Sequence, residues 1–505
     1  MNRTITNPKL KNWQVLLICL LISFLFLMIC SNNSFLYAFN DNQDINWYMT
    51  VGNGMLNGKM PYRDLFEHKG PLLYILFAFF CMFPNPFRVV FIVEVVCFTL
   101  FLFYTYKLLI RFVSERIAIF TLPISAFVIQ TCLYFMIGGG AVEEFFLPAF
   151  MYMMLCFIEF IHDKRDFSIA RSTVFGVLIG VILLVKFTLL VLPFIMFVSM
   201  CVIYIMQKRF RPMFKMILFY IVGVLIVALP ILLFFYFKGA LYELFEVYFY
   251  DNLFVYGSIV NPFTNFLIMC FVGLIPFSFG ILGVYLYQKS YAPQNYKRMY
   301  MILFTLHALV LVFTGNFSYY YLPLSVYTPL GIAFLIDLLR HKYPNLIKQS
   351  VMITIASIML LSSFLFGNGT FELGHQKSDY IHFQIAADIR AINNDHPTLF
   401  TYKLWDYGFY NVLGETPNVR YYANNLFTEE SFPEMYEAFD SYITTQATEF
   451  VLMDKVVFQE EYDMMTEHYH YVNEYFFEYR KDNHRSFNMH LVLLHADDSC
   501  TIHNN

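Results

Sequence analysis

Long apolar runs broken by short polar loops fill the first 368 residues, and that pattern predicts a bundle of membrane-spanning helices. A spanning helix needs about 20 apolar residues. The runs at 13–30, 87–110, 117–137, 145–161, 173–185, 187–206, 214–237, 263–287, 299–315, 320–339 and 351–367 are the candidates. A further run, 71–83, would rise only about 20 Å as a helix, too short to cross a bilayer. The distribution of basic residues decides whether it counts as a span. With 71–83 left out, one side receives the segments 1–12, 107–116, 162–172, 207–215, 288–298 and 340–348, each with its Lys and Arg cluster. Counting it as a span would scatter those clusters over both faces. The expectation is therefore about eleven transmembrane helices, with the N-terminus cytoplasmic and the C-terminus outside. Run 71–83 would lie in the outer interface behind Pro71, a residue suited to the first position of a helix. The start of the chain is basic and then apolar, like a signal peptide, but no small-residue cleavage site follows, so it reads as an uncleaved first span.

Beyond residue 368 the period changes. HFQIAADIRAI reads as a helix, while TLFTYKL, EFVLMDKVVF, YHYVNEYFFEYR and MHLVLLHA read as strands. The fold class expected is a polytopic α-helical membrane protein with a small C-terminal α/β extracytoplasmic domain. Its domains would be 1–368, with an outer loop at 31–86, and 369–505.

Composition agrees: of 505 residues 58% are hydrophobic, 20% aromatic and only 14% charged, which is a membrane protein's profile. The net charge of -4 conceals an asymmetry, because residues 369–505 hold 22 Asp and Glu against 8 Lys and Arg. Neither part has a nucleic-acid footprint. Eight of the nine cysteines lie in apolar segments and Cys500 stands in the polar tail, so neither a disulfide framework nor zinc spacing is present.

Candidate chemistry gathers in the outer loops. The stretch NDNQDINWYMTVGNGMLNGKMPYRDLFEHKGPLLY (40–74) packs Asp44, Lys59, Arg63, Asp64, Glu67, His68 and Lys69 between apolar runs. Asp44 and Tyr48 would share one helix face. A carboxylate there could act as a general base or merely cap a juxtamembrane helix. Arg63, His68 and Lys69 sit where lipid phosphates lie; they could steady a departing phosphate or simply attract anionic lipid. Glu143 and Glu144 follow three glycines at a helix start, where acids also complement the dipole. Adjacent residues point about 100° apart, so one of the two would face a site. Lys186 interrupts the apolar stretch 173–206 and either snorkels or meets a phosphate or carboxylate. Glu94 and His307 lie inside spans and read as buried hydrogen-bonding partners. Asn252, Tyr256 and the Tyr319–Tyr321 turn could line a sugar and lipid cleft, or belong to aromatic belts. No phosphate-binding loop or metal-binding DxD is present; GNGMLNG lacks the spacing of a dinucleotide loop.

Asp44-x3-Tyr48, LNGKMPYRDLFEHKGPLLY, GGGAVEEFFLP, KFTLLVLPF and NFSYYYLPL, in that order, resemble the glycosyltransferase family 39-like branch of the GT-C superfamily, related to protein O-mannosyltransferases and aminoarabinose transferases. The resemblance covers roughly residues 10–340 and is most specific in the first loop. It implies transfer of a sugar from a polyprenyl-phosphate donor to an acceptor on the outer face. Asp44 matches the family's catalytic acid of the first loop, and Lys69 its Lys-Pro block beside the donor phosphate, with Gly70 intervening before Pro71. Glu143 or Glu144 matches the acid of the second outer loop. Two features depart from the pattern: the usual acidic pair is Asp44-Ile45 here, and Asn316-Phe317-Ser318 replaces a basic residue before the tyrosine near Tyr320.

The expectation is a multi-pass enzyme of the bacterial plasma membrane, inverting at the anomeric carbon. Asp44 would be the base; Lys69, Arg63, Lys186 and His68 would hold phosphate; Tyr48, Asp64, Asn252, Tyr256 and Tyr320 would line the cleft. The acceptor would be an envelope glycan, teichoic acid, lipid or protein. Two hard carboxylates, Asp44 and Glu143, would suit Mg²⁺ or Mn²⁺, which the sequence does not require. A lipid-linked glycan transporter or flippase is the alternative; it would need ionisable groups along a midplane path, whereas the charge concentrates in the outer loops. A non-catalytic envelope-assembly protein is the other.

Overall fold

The computed structural model describes residues 9–136, 138–163, 166–255, 261–314, 317–424, 427–482 and 485–496. Its first nine main helices are α1 (Asn12–Cys30), α2 (Gln43–Leu56), α3 (Pro71–Cys81), α4 (Pro86–Leu109), α5 (Glu115–Gln130), α6 (Val142–Asp163), α7 (Ile169–Val185), α8 (Val191–Met206) and α9 (Phe210–Phe237). Among the described residues eight helices are long and apolar enough to cross a membrane: α1, α4, α6, α9, Phe187–Met206, Gln294–Phe313, Ser318–Lys342 and Gln349–Phe366. A ninth span is formed if Pro262–Val272 and Leu274–Ser290, bent by 88°, are taken together. The protein is a multi-pass membrane protein. All eleven expected segments contain helix, but α5 and α7 have only 16 and 17 residues. At about 1.5 Å per residue both fall short of a ~30 Å hydrocarbon core. The 11-residue α3 starts at Pro71 as its first helical residue, where a missing N–H costs nothing.

By its internal contacts the chain divides into two compact units. A bundle unit comprises Met1–Leu36, Phe87–Pro230 and Val260–Leu373; a loop-and-tail unit comprises Tyr37–Pro86, Ile231–Ile259 and Gly374–Asn505. In the bundle unit the basic segments are tied to one another. Lys107 Nζ donates to Asn12 Oδ1 (2.7 Å), and the backbone N–H groups of Lys9 and Leu10 donate to Glu115 (2.9 and 3.0 Å). Arg111 pairs with Asp163 at 2.7 Å, Arg171 with Glu159 at 2.8 Å and Arg209 with Asp166 at 2.6 Å. These ties join the segments whose charges segregate in the sequence. Along α9, Leu218, Ile221, Leu225, Leu229 and Leu233 are exposed at helical spacing, the stripe a lipid-facing helix presents.

In the loop-and-tail unit a four-stranded sheet is built from β1 (Leu399–Thr401), β2 (Phe450–Asp454), β3 (Tyr469–Asp482) and β4 (Arg485–Ala496), in the order β1-β2-β4-β3. β1 and β2 run parallel, and the other pairs are antiparallel. Every residue of β1 and β2 is buried. The first outer loop is part of this unit. Trp47 of α2 stacks on Trp405 with ring centroids 5.2 Å apart, and Thr50 Oγ1 donates to Asp406 Oδ2 at 2.6 Å. Asn411 Nδ2 donates to Asn46 Oδ1 (2.9 Å), and Phe66 rings with Tyr421, Phe427 and Phe432. α2 packs tightly on α3 because Gly52 has no side chain; a Cβ there would sit 2.7 Å from Phe77 C and Ala78 N.

Two outcomes follow. Only three tryptophans are present, so Trp13→Phe leaves emission to the stacked pair Trp47 and Trp405. In that background Gly52→Leu should lower the unfolding midpoint in detergent, at an overpacking cost of about 1–3 kcal/mol; an unchanged midpoint would refute the close α2–α3 approach. Second, burial pushes the Asp406 carboxyl from 3.8 to about 6, against the hydrogen bonds from Thr50 and the Gly408 and Phe409 N–H groups. A raised acid stabilises the fold most while protonated, so this contribution is full at low pH and is lost as pH rises through the folded value. The stability difference between wild type and Asp406→Asn should therefore change between about pH 4 and 6 and flatten above, as followed by tryptophan emission.

Candidate functional site

In the loop-and-tail unit the charged turn before α3 is closed on itself. Gly70 precedes Pro71, so Lys69 lies immediately ahead of a helix N-terminus. Its backbone N–H donates to Glu67 Oε2 (3.0 Å) and Tyr74 Oη (2.9 Å), and Tyr74 Oη donates to Glu67 Oε2. Tyr62 Oη donates to the Lys69 carbonyl at 2.7 Å. The Lys69 ammonium donates to His68 Nε2 at 3.0 Å and lies 3.6 Å from Glu67 Oε1. With Nε2 accepting, the neutral ring carries its proton on Nδ1, which lies 3.3 Å from the same Glu67 oxygen. Only 7% of the Lys69 side chain and 1% of the Glu67 side chain are exposed. Burial pushes the Glu67 carboxyl up; Lys69 and the neighbouring N–H groups oppose that, and the Asp44 charge adds to it. The result is a lysine whose ammonium meets one carboxylate and one imidazole and whose backbone is held by two phenols.

Asp44 lies in the first turn of α2, where the Asn42 side chain accepts from its N–H at 3.0 Å. It is buried, in the position where a helix dipole favours a carboxylate. Tyr48, one turn on, packs edge-on against Phe77 at 5.2 Å. Asp64 accepts from the Met60 N–H at 2.7 Å and is bridged by two Arg63 nitrogens, each at 2.8 Å. Arg63 also donates to the Lys238 carbonyl at 2.9 Å and is 38% exposed. Its fork is committed to Asp64, unlike the enclosed ammonium of Lys69. Asn252, in the wide helical segment Leu244–Val255, donates to the His68 carbonyl at 2.7 Å. Tyr256 lies outside the described residues.

The bundle unit holds a second enclosed cation. Lys186 ends α7 in extended backbone before the short turn Phe187–Leu190. Its Nζ lies 2.6 Å from Glu143 Oε1 and 3.9 Å above the Tyr320 ring, with Tyr319 at 5.4 Å. The side chains of Lys186 and Glu143 are 8% and 1% exposed. An ammonium this deep needs a carboxylate and aromatic faces to replace water. Glu144, the next residue, is engaged elsewhere: its Oε1 accepts from the Ala141 N–H at 3.1 Å. The two neighbours thus serve different partners.

Glu67, Tyr62, Tyr74 and Glu94 are the polar groups that the sequence reading leaves in the background. An acid within the run EHK and a lone acid inside an apolar span are their signals. For a divalent cation the fit is poor. Among the described residues no three His, Cys, Asp or Glu side chains are placed to hold one, and Glu143 is already neutralised by Lys186.

Over 95% of its length the chain shares the fold of a solved protein, ArnT. ArnT from Cupriavidus metallidurans in the apo state aligns at 12% identity over 95% of this chain and 98% of that one, with a TM-score of 0.60. The same enzyme bound to undecaprenyl phosphate aligns at 11% identity over 96% and 98%, also at 0.60. The oligosaccharyltransferase AglB from Archaeoglobus fulgidus, in complex with an inhibitory peptide and a dolichol-phosphate, gives 14% identity over 93% and 73% with a TM-score of 0.48. No curated protein matches the sequence. The fold is therefore that of ArnT. The family model described as the putative competence-induced protein Ccs4 N-terminal domain matches residues 1–366, and the chain belongs to that family.

Proposed function

We propose that the protein is a membrane glycosyltransferase that moves a sugar from a polyprenyl-phosphate donor to a cell-envelope acceptor on the outer face. The observation that carries this reading is the enclosed Lys69 ammonium, set by Glu67, His68 and Tyr74 in the same unit as the buried carboxylate of Asp44. Surface lysines that merely attract lipid would be solvated. Support also comes from the shared fold with ArnT, one structure of which holds undecaprenyl phosphate. The charge distribution favours a cytoplasmic N-terminus, with the first outer loop and the C-terminal domain outside.

In this reading Asp44 takes the proton of the acceptor hydroxyl as its oxygen attacks the anomeric carbon. The bond from that carbon to the phosphate oxygen breaks, and its electron pair leaves on the polyprenyl phosphate. Lys69 stabilises the charge gained there, in a site where low solvent access strengthens the attraction. His68 orients the ammonium and Asn252 fixes the His68 carbonyl. In the bundle unit Lys186, balanced by Glu143 and faced by Tyr320, is assigned as a second phosphate-binding cation. Tyr48 and Asp64 are assigned to the walls of the substrate cleft, and Arg63, paired with Asp64, to the groups that bind the donor phosphate. A single displacement inverts the anomeric centre.

Asp44→Asn should insert into the membrane and keep wild-type tryptophan emission while transfer from an undecaprenyl-phosphate sugar falls by about 10²–10⁴-fold. Envelope glycans that remain normal by mass analysis in such cells would sink the assignment. Lys69→Met should weaken binding of undecaprenyl phosphate in detergent by about tenfold or more, with Lys69→Arg intermediate because a planar guanidinium cannot reproduce a compact ammonium. Equal affinities for all three proteins would remove Lys69 from the phosphate site.

A further inference from the structure

Tyr62 has a left-handed backbone, φ 72°, and is wholly buried. It follows Pro61, and proline followed by positive φ is the pattern of a type II turn, whose third position ordinarily takes glycine because a Cβ is strained there. A tyrosine kept in such a backbone is held by its surroundings, and the strain points to a use for its side chain. That side chain is spent on Lys69: the Tyr62 phenol donates to the Lys69 carbonyl at 2.7 Å. The backbone of the turn is gripped from the C-terminal domain, within the loop-and-tail unit. Arg420 Nε donates to the Tyr62 carbonyl at 3.0 Å, and the Arg420 carbonyl accepts from the Phe66 N–H at 2.9 Å. One residue thus holds both ends of the turn, which the Tyr62 N–H closes by donating to the Leu65 carbonyl at 2.8 Å. The guanidinium lies over the rings of Tyr421 at 4.9 Å and Phe66 at 5.7 Å, faces that attract a cation and fix its place. The same two stretches are tied again where Asn57 Nδ2 donates to Thr416 Oγ1 at 2.7 Å and Lys59 Nζ donates to the Pro417 carbonyl.

Arg420 therefore reaches Lys69 through a single residue. Its Nε–H holds the Tyr62 carbonyl, and the Tyr62 phenol, at the other end of the same residue, holds the Lys69 carbonyl. A charged donor makes the stronger kind of hydrogen bond, which suits it to keeping a strained turn in one conformation. We propose that Arg420 is a positioning residue: by fixing Tyr62 in its left-handed backbone it sets where Lys69 is presented, so that the C-terminal domain helps to build the phosphate site. The consequence for the donor rests on the reading of Lys69 as a phosphate-binding group. The role belongs to the Nε–H and not to the positive charge. Glutamine and methionine separate the two, because a glutamine Nε2 stands as many bonds from Cα as the arginine Nε, and methionine puts a methyl group there.

Binding of undecaprenyl phosphate to the full-length protein in detergent tests the positioning. Arg420→Met should weaken it by about three- to tenfold, the worth of one hydrogen bond, and Tyr62→Phe by a similar factor. Both act along one route, so the double variant should bind no more weakly than the weaker single one. Arg420→Gln should bind as the wild type does. Equal weakening by Arg420→Gln and Arg420→Met would mean that the charge itself is needed, and would overturn the positioning role. Wild-type binding by Arg420→Met, or effects that multiply in the double variant, would overturn it too. Amide hydrogen exchange over residues 62–69, followed by mass spectrometry with no lipid added, reads the grip on the turn separately. Exchange should quicken in Arg420→Met and stay at the wild-type rate in Arg420→Gln; one rate for all three proteins would overturn the grip. If Lys69→Met binds undecaprenyl phosphate normally, the phosphate role of Lys69 fails while the exchange result still decides the grip. Should Arg420→Met not fold, wild-type binding by Tyr62→Phe would overturn the route on its own.

Discussion

Burying an ammonium is costly unless protein groups replace the water it loses, and that constraint organises both halves of this molecule. Lys69 and Lys186 are each more than nine-tenths enclosed, and each is met by one carboxylate, Glu67 or Glu143. Neither pairing is bare. Lys69 has an imidazole beside it and a tyrosine bonded to its carboxylate partner; Lys186 has the faces of two tyrosines. Removing either carboxylate would strand a charge, whereas an incoming phosphate could share or replace it. In the function proposed above, such sites keep a cation ready for an anion and hold it in one place.

The surrounding structure serves that positioning. α2 and α3 approach through Gly52, which fixes the helix bearing Asp44 against the helix that begins just after Lys69. The C-terminal domain then clamps the far side of the same loop through Trp405, Asp406 and Asn411. A polar loop left to itself would pay a large conformational entropy to hold so many charged groups in register. Packed against a sheet domain, it becomes a rigid platform. In the bundle unit the equivalent work falls to Glu94, which holds the glycine turn by accepting from its backbone.

Some of this was legible from local pattern. Apolar runs of about 20 residues determine the helical bundle, because lipid demands internal backbone bonding. The brevity of 71–83 and its leading Pro71 mark α3, and the alternation after residue 368 marks the strands. The residue types in the first loop point to Asp44 and Lys69, since a carboxylate and an ammonium beside lipid suggest proton and phosphate chemistry. The shared fold with ArnT rests on three-dimensional comparison, at an identity of only 12%.

Tertiary structure alone decided the partners. The sequence places Glu143 and Glu144 side by side, and their roughly 100° separation says only that they diverge; the fold sends one to Lys186 and the other to the Ala141 N–H. The union of the first loop with the tail joins Thr50 to Asp406 across 356 positions, which no local period encodes. Glu67 and Tyr74, bonded to each other around Lys69, gain their meaning only once the turn closes. Hydrophobic periodicity reports which face of an element is buried. Which buried charge meets which is set by packing between elements, and that is where this protein's chemistry is specified.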